Sequence, residues 1–586
     1  MTATPAAARK TRRLSDHSAD ARMLMLAAAS VAIGSGSAFG AWVLLKLIYL
    51  ATNLFWFADV SFVSRHIYDA NVGLLVLAIP VAGGLLIGLL ARFGSDKIRG
   101  HGIPEAIEAI LYGESRLSPK VAILKPISSA ISIGSGGPFG AEGPIIMTGG
   151  ALGSLFAQQF QLSAAERKTL LVSGAAGGMT AIFGTPVAAV LLAVEVLLFE
   201  WKPRSLVPVV TAALVAMAWR PLLIGSGPMF AFDPGPIGKL SLIGPLVVLM
   251  GIVVGLEATL LSKILYRIED LFHRLPVHWM WWPAIGAVVV GAGGLIDAHV
   301  LGAGYADIQA LLNGSLAVKV IIALAVVKAM VWLVALGSGT SGGVLAPLLI
   351  LGGALASLCG LLLPGSHGFW ALIGMAAIMS GAMRAPLTGA LFAVELTGRF
   401  ETLPLTLAAA AAAYAVSVLL MQRSILTERI ARRGRHVLQE YSIDPLEFLQ
   451  AAQVMTSTPE MLGGNRSIGE VVTFFEEDAD HRSYPVVDHS GRLLGLVSRS
   501  DALKWQGYSA TLGLTLAEML SDASQPVAYP DTPIGDVADL MVDTGVGRIP
   551  IVERETQRVV GILSRHDLLK ARSVRRKVEQ VRERAA

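Results

Sequence analysis

A single carboxylate, Glu142, stands in the otherwise apolar, glycine-rich stretch Gly140-Ala141-Glu142-Gly143-Pro144, which is followed by Gly149-Gly150-Ala151-Leu152. The pattern recurs 203 residues later as Gly343-Val344-Leu345-Ala346-Pro347 and Gly352-Gly353-Ala354-Leu355, with leucine in place of the glutamate. A Gly/Pro-rich turn that opens a helix leaves its first backbone N–H groups unpaired, and the helix dipole adds partial positive charge there. Such a turn can hold an anion without a cationic side chain, weakly enough for the ion to leave, as conduction requires. A carboxylate at the same place can occupy the nest when no free anion does. The bland alternative is that Glu142 only caps a helix start. The copy at Leu345 shows that the turn forms without it, which favours the functional role, and an ionisable residue in an apolar segment is costly unless it works.

The elements that position this nest are membrane helices. Pro186 through Glu195 (PVAAVLLAVE) is echoed by Pro386 through Glu395 (PLTGALFAVE) at an offset of 200, so the chain holds two related halves. Duplicated hydrophobic segments interrupted by Gly and Pro mark transporter-like membrane folds with a site where the halves meet. Hydrophobic residues make up 54% of the 586 residues and charged residues 15%, against about 25% charged in a soluble domain. The charge deficit lies in residues 24–422. Apolar runs 24–52, 71–92, 206–223, 239–262, 317–336 and 402–422 are each long enough to enter or cross ~30 Å of hydrocarbon. Shorter, broken segments between them are expected to line a pathway, because irregular backbone at membrane depth needs protein or water around it.

Arg9, Lys10, Arg12, Arg13 and Arg22 precede the first run, and Arg423, Arg429, Arg432, Arg433 and Arg435 follow the last. The positive-inside rule then places both termini in the cytoplasm, with an even number of full crossings of a cell (inner or plasma) membrane. The N-terminal tail has no apolar core followed by a cleavage site, so no removable signal peptide is expected. The single cysteine, Cys359, excludes an intramolecular disulfide and reads as a small buried hydrophobe.

Beyond about residue 437 the composition becomes that of a soluble α/β region, and it too is repeated. Tyr484-Pro485-Val486-Val487-Asp488 with Gly491 through Asp501 is matched by Ile549-Pro550-Ile551-Val552-Glu553 with Val559 through Asp567. This pattern resembles the CBS domain, whose two copies pair as one unit. By that resemblance Ser498, Asp501, Ser564 and Asp567 stand where nucleotide-binding members meet a phosphate and ribose hydroxyls. Ser-x-x-Asp opening a helix is equally an ordinary capping arrangement, and both readings stay open.

In the membrane part, Gly100-His101-Gly102-Ile103-Pro104-Glu105, Gly140 through Pro144 and Gly343 through Pro347 stand in the order and spacing of the three signature segments of the CLC family of chloride channels and proton-coupled chloride exchangers, which the chain resembles over nearly its whole length. The resemblance implies an all-α multi-pass membrane domain of two inverted repeats followed by a cytoplasmic α/β CBS pair. The expected division is 1–22 basic tail, 23–436 transmembrane domain, 437–450 linker, 451–507 and 514–572 CBS copies, and 573–586 basic tail. It further implies a homodimer in the lipid bilayer with one pore per subunit. Glu142 is then the gating glutamate, with His101, Gly102, Ile103, Gly140, Ala141, Gly143, Val344 and Leu345 around the anion.

Departures from the family pattern carry as much information. His101 replaces the usual serine donor, and the family's tyrosine donor aligns with Leu426. The glutamate that passes protons to the cytoplasm in exchangers aligns with Val196, next to Glu195. A passive, Glu142-gated chloride or other small-anion channel is therefore the expected function. The alternatives are a proton-coupled exchanger and a CBS-based nucleotide sensor. No enzymatic activity, metal, required cofactor or nucleic-acid partner is expected; adenine nucleotide is the one candidate ligand of the CBS pair. Glu195 and its mate Glu395 are expected to close a helix end or pair with an arginine such as Arg384, and Lys328 to make a buried salt bridge, for example with Glu395. Gly337 through Gly342 fits G-x-G-x-x-G but lacks the strand–helix context of a dinucleotide site. The basic stretch Arg572 to Arg584 reads as a solvated helix.

Overall fold

The computed structural model describes residues 21–235, 240–435, 449–507, 513–520 and 525–571. Arg9 to Arg13, most of the linker and the terminal basic stretch lie outside these residues. The chain divides into two compact units, Met1–Glu440 and Tyr441–Ala586.

The described part of the first unit is built from helices joined by turns and loops. Among the described residues, seven helices are long and apolar enough to cross a membrane: Arg22–Phe57, Leu75–Phe93, Pro203–Leu223, Leu242–His273, Trp279–Ile296, Val318–Gly337 and Phe400–Leu420. Six correspond to the runs read from sequence. The seventh, Trp279–Ile296, is not among those runs: its eighteen residues begin with the tryptophan-rich turn Trp279–Trp281, which leaves an apolar α-helix of only fifteen residues, Trp282–Ile296. Four apolar helices of 10–17 residues are too short to span alone: Pro186–Leu198, Leu345–Gly360, His367–Met383 and Pro386–Thr397.

These short helices and Glu142–Ala157 form the interior. Nearly every residue of Glu142–Ala157 and Leu345–Gly360 is buried, which is why both sequences are apolar on all faces rather than amphipathic. The helices pack closely through small residues. A Cβ on Gly149 or Gly174 would run into the other's carbonyl, and Gly352 and Gly374 approach each other in the same way. Small residues that admit backbone-to-backbone contact are the usual basis of membrane helix packing. The matching arrangement in the two halves is the repeat made visible.

The second unit contains two three-stranded sheets. Strands β1 (Thr456–Ser457), β2 (Leu462–Gly463), β3 (Ser483–Val487), β4 (Leu493–Ser498), β5 (Arg548–Val552) and β6 (Val559–Ser564) are arranged in the orders β2-β3-β4 and β1-β6-β5. β1 precedes the first copy yet pairs with β6 of the second, Thr456 opposite Ile562. Gly491 and Gln557 bond across the two copies through Leu493 N to Gln557 O (3.2 Å) and Val559 N to Gly491 O (3.3 Å). The copies are therefore interlocked as one unit. The helices Ile468–Glu477 and Ile534–Thr544 each turn one apolar face onto a sheet, with Ile468, Val471 and Phe475 in one core and Ile534, Val537 and Met541 in the other.

Candidate functional site

The three glycine-rich turns meet. Gly140 and Gly343 form a two-way backbone bridge, Gly140 N to Gly343 O at 3.2 Å and Gly343 N to Gly140 O at 2.9 Å, and Gly342 N donates to Gly100 O at 3.4 Å. A Cβ on Gly143 would strike the His101 carbonyl, and one on Gly102 would strike that of Gly143. Gly102 also sits at φ +92°. Only glycine satisfies both conditions there. Residues separated by more than 200 positions thus share one small volume, and the starts of helices Ile103–Tyr112, Glu142–Ala157 and Leu345–Gly360 surround it.

Glu142 is fully buried in this volume. Its carboxylate fills the room left by Gly140 and Gly343, where a Cβ on either would collide with it. Its own N–H and that of Ala346 face the carboxylate. Oε1 lies 3.5 Å from the Tyr305 hydroxyl, and Oε2 has no hydrogen-bond partner. A buried carboxylate oxygen without a partner costs on the order of 1–3 kcal/mol, so this is not an efficient cap.

The backbone amides are not all open. Gly102 N donates to Glu105 Oε2 at 2.9 Å, Gly140 N is held in the bridge, and Ala141 N donates to the Tyr305 hydroxyl at 3.0 Å. The expectation that Gly102, Gly140 and Ala141 offer free N–H groups to an anion is corrected accordingly: these residues shape the nest, but in this state their amides are engaged. Gly143, Val344, Leu345 and Ile103 lie at the helix starts as expected, and Ala346 joins them. His101 is buried at 1% exposure and its Nδ1 has no partner.

Sequence reasoning missed a ring of charges beside His101. Lys125 is fully buried and donates to Ile98 O at 2.9 Å and Gly100 O at 2.6 Å. Arg429 lies 3.7 Å from Glu105 Oε1, with Arg433 at 3.8 Å. Lys125 could have been singled out as a lone charge within an apolar stretch. Tyr305 carried no such signal, since it lies 163 residues from Glu142 in an ordinary short helix, Tyr305–Leu312.

Glu195 and Glu395 cap each other's helices. Glu395 accepts from Val187 N (3.1 Å) and Ala188 N (2.7 Å), and Glu195 from Leu387 N (3.3 Å), Thr388 N (2.8 Å) and Thr388 Oγ1 (2.6 Å). Arg384 pairs with neither; it donates to the carbonyls of Ser417, Met421 and Gln422. Lys328 does not pair with Glu395, whose carboxylate accepts from Val187 N and Ala188 N. Its ammonium donates instead to the carbonyls of His299, Val300 and Gly302 at 3.2–3.4 Å. Leu426 is fully buried, as is Val196 at 1% exposure, within a π-helical turn over Ala193–Leu198.

In the second unit, Ser498 and Asp501 bond reciprocally. Ser498 N and Oγ donate to Asp501 Oδ2 at 3.0 and 2.5 Å, and Asp501 N donates back to Ser498 Oγ at 3.3 Å. Ser564 and Asp567 repeat this at 2.8, 2.6 and 3.4 Å. Each pair is a closed capping box. Among the described residues, no group of three or more His, Cys, Asp or Glu side chains is placed to hold a metal.

Comparisons with known proteins agree with this architecture. The profile of the voltage gated chloride channel family matches residues 83–418, more than half of the chain, and that of the CBS domain matches 451–508 and 521–574. The voltage-gated ClC-type chloride channel ClcB of Salmonella typhimurium is 31% identical over 365 residues, covering 61% of this chain and 87% of its own length. The H(+)/Cl(-) exchange transporter ClcA of Salmonella newport is 30% identical over 345 residues, covering 54% and 71%. Among solved structures, a slow cyanobacterial Cl-/H+ antiporter superposes with a TM-score of 0.62 at 22% identity, over 71% of this chain and 99% of that one. A eukaryotic CLC transporter superposes with a TM-score of 0.59 at 20% identity, over 93% and 98%. With its three converging glycine turns, its duplicated helical unit and its interlocked CBS pair, this chain belongs to the CLC family of chloride-transport proteins.

Proposed function

We propose that this protein exchanges chloride, or a similar small anion, for protons across a cell membrane, with Glu142 as both gate and proton carrier. The observation that carries this reading is the state of Glu142, a carboxylate fully buried among the glycine turns with one oxygen unpartnered. A group held so incompletely can be replaced by a free anion, and the replaced carboxylate can take a proton. One residue then links the two fluxes, because anion entry and carboxylate departure are the same event. The names of the relatives, which include both a channel and an exchanger, give the exchanger at least equal standing with the passive channel read from sequence.

The channel is the second reading, and Val196 favours it. A valine carries no proton inward, and Glu195 is committed to the start of helix Pro386–Thr397. An exchanger would therefore need an inner route through water or hydroxyl groups. The test is a chloride gradient imposed on liposomes holding the purified protein, with external pH followed. Uphill proton movement that Glu142→Gln abolishes supports exchange; chloride flux without proton movement returns the channel. A homodimer with both termini in the cytoplasm goes with either reading. We assign Ser498, Asp501, Ser564 and Asp567 to helix capping first, so that an adenine nucleotide at the CBS pair would have to share oxygens already engaged.

A further inference from the structure

The family's two hydroxyl donors are missing from their usual positions, where this chain has His101 and the buried, apolar Leu426. A different hydroxyl reaches the nest. The oxygen of Tyr305 accepts the Ala141 N–H at 3.0 Å and stands 3.5 Å from Glu142 Oε1. Accepting from Ala141 uses one of its lone pairs, so the phenol proton is free to point at the carboxylate. The ring is held in place. Phe183 meets it edge-on at 6.4 Å between centroids, and Phe230 lies at 6.3 Å. Phe183 is braced in turn by Phe392 at 5.5 Å. Tyr305 remains partly exposed while Ala141 and Glu142 are fully buried, so it borders accessible space next to the gate.

We propose that Tyr305 supplies the hydroxyl donor to the anion that replaces Glu142, and so sets anion affinity at this site. When the carboxylate leaves, the O–H that faced Oε1 faces the incoming ion. No covalent change is involved. The donor to the gate becomes the donor to its competitor, with the ring fixed throughout. This inference rests on the reading of Glu142 as a displaceable gate.

The two readings can be separated experimentally. In a Glu142→Ala background, where no carboxylate competes, chloride binding to the full-length protein in detergent is measured by isothermal titration with and without Tyr305→Phe. A hydrogen bond to a charged group contributes enough that affinity should fall roughly tenfold. A merely structural tyrosine predicts the opposite sign. Removing its hydroxyl frees the Ala141 N–H for the anion, so binding would hold or tighten, and that result overturns the proposal. Tyr305→His, which keeps a ring N–H donor, should recover part of the loss; if it binds no better than Tyr305→Phe, the donor role is also overturned. Should Glu142→Gln in an otherwise unaltered protein leave the pH profile of flux unchanged, the gate reading fails by itself, whatever Tyr305 does.

Discussion

The helix starts at Pro186 and Pro386 and the turns at Gly140 and Gly343 come from the same duplication, yet they treat carboxylates in opposite ways. At the proline pair each half keeps its glutamate, and each glutamate closes the helix start of the other half, two N–H groups apiece. The arrangement is symmetric and satisfied. At the glycine pair one half keeps Glu142 and the other has Leu345, while the two turns are joined by backbone alone. There the carboxylate is left with an unpartnered oxygen. Both carboxylates of the proline pair hold helix starts together, whereas the single carboxylate of the glycine pair has no mate in the other half to cap a helix start in return. Two buried carboxylates, Glu142 and Glu395, thus differ in how completely they are hydrogen-bonded, and an unsatisfied one calls for an explanation.

Breaking the glycine side should have the largest effect. Glu142→Gln is expected to abolish proton movement driven by a chloride gradient and to flatten the pH dependence of anion flux, while the thermal unfolding midpoint shifts little. A mutant that keeps wild-type proton coupling would move the gate elsewhere.

Breaking the proline side should do the reverse. Glu395→Ala leaves the Val187 and Ala188 N–H groups without their acceptor, at a cost of about 1–3 kcal/mol for an unsatisfied buried donor. The protein should unfold at lower temperature, with the pH profile of flux per folded molecule preserved. If the flux profile changes and stability does not, Glu395 belongs to the transport route and the comparison fails.

A smaller effect is expected from the CBS pair. Asp567→Ala opens one capping box, for which loss of about 1 kcal/mol is typical. Unfolding followed in the full-length protein should register that loss for the transition of the CBS unit with or without AMP or ATP. A nucleotide-dependent stabilisation that disappears in the mutant would assign Asp567 to ligand binding as well.

The smallest concerns His299, which lies in the short 3-10 turn Ala298–Val300, outside the long apolar helices. Its Nδ1 meets Asp307 Oδ1 at 2.6 Å. That hydrogen bond holds the imidazole above its ordinary value, against the effect of burial. A raised value means that the folded state binds the proton more tightly, so the pair's contribution is complete below about pH 6.5 and is lost as pH rises through the raised value. The stability difference between wild type and His299→Gln should therefore shrink on going from mildly acid to alkaline pH. A difference constant with pH would mean that the histidine is held neutral.

Much of this molecule could be read from its sequence because the signals are local or repeated. Apolar length identified six of the seven long helices among the described residues, since crossing hydrocarbon demands a run of suitable residues in one place. The duplication identified Glu142 as the odd member of a matched pair. It also suggested that Glu195 and Glu395 share a structural role. The CBS strands followed from turn residues and alternating β-branched runs.

What the sequence left open depended on which distant groups come within hydrogen-bonding distance. Three glycine turns can be recognised one by one, but whether their amides are open or engaged depends on partners such as Glu105, Gly343 and Tyr305, which only the folded chain supplies. The sequence offered Arg384 and Lys328 as partners for the paired glutamates; tertiary structure gave those carboxylates to backbone N–H groups and gave the cations to carbonyls. It also put the Tyr305 hydroxyl against Glu142 from 163 residues away. Composition and periodicity determine which segments enter the membrane, because transfer free energy is a property of each segment. Hydrogen bonds are directional and short, so their partners are fixed only when packing brings the helices together.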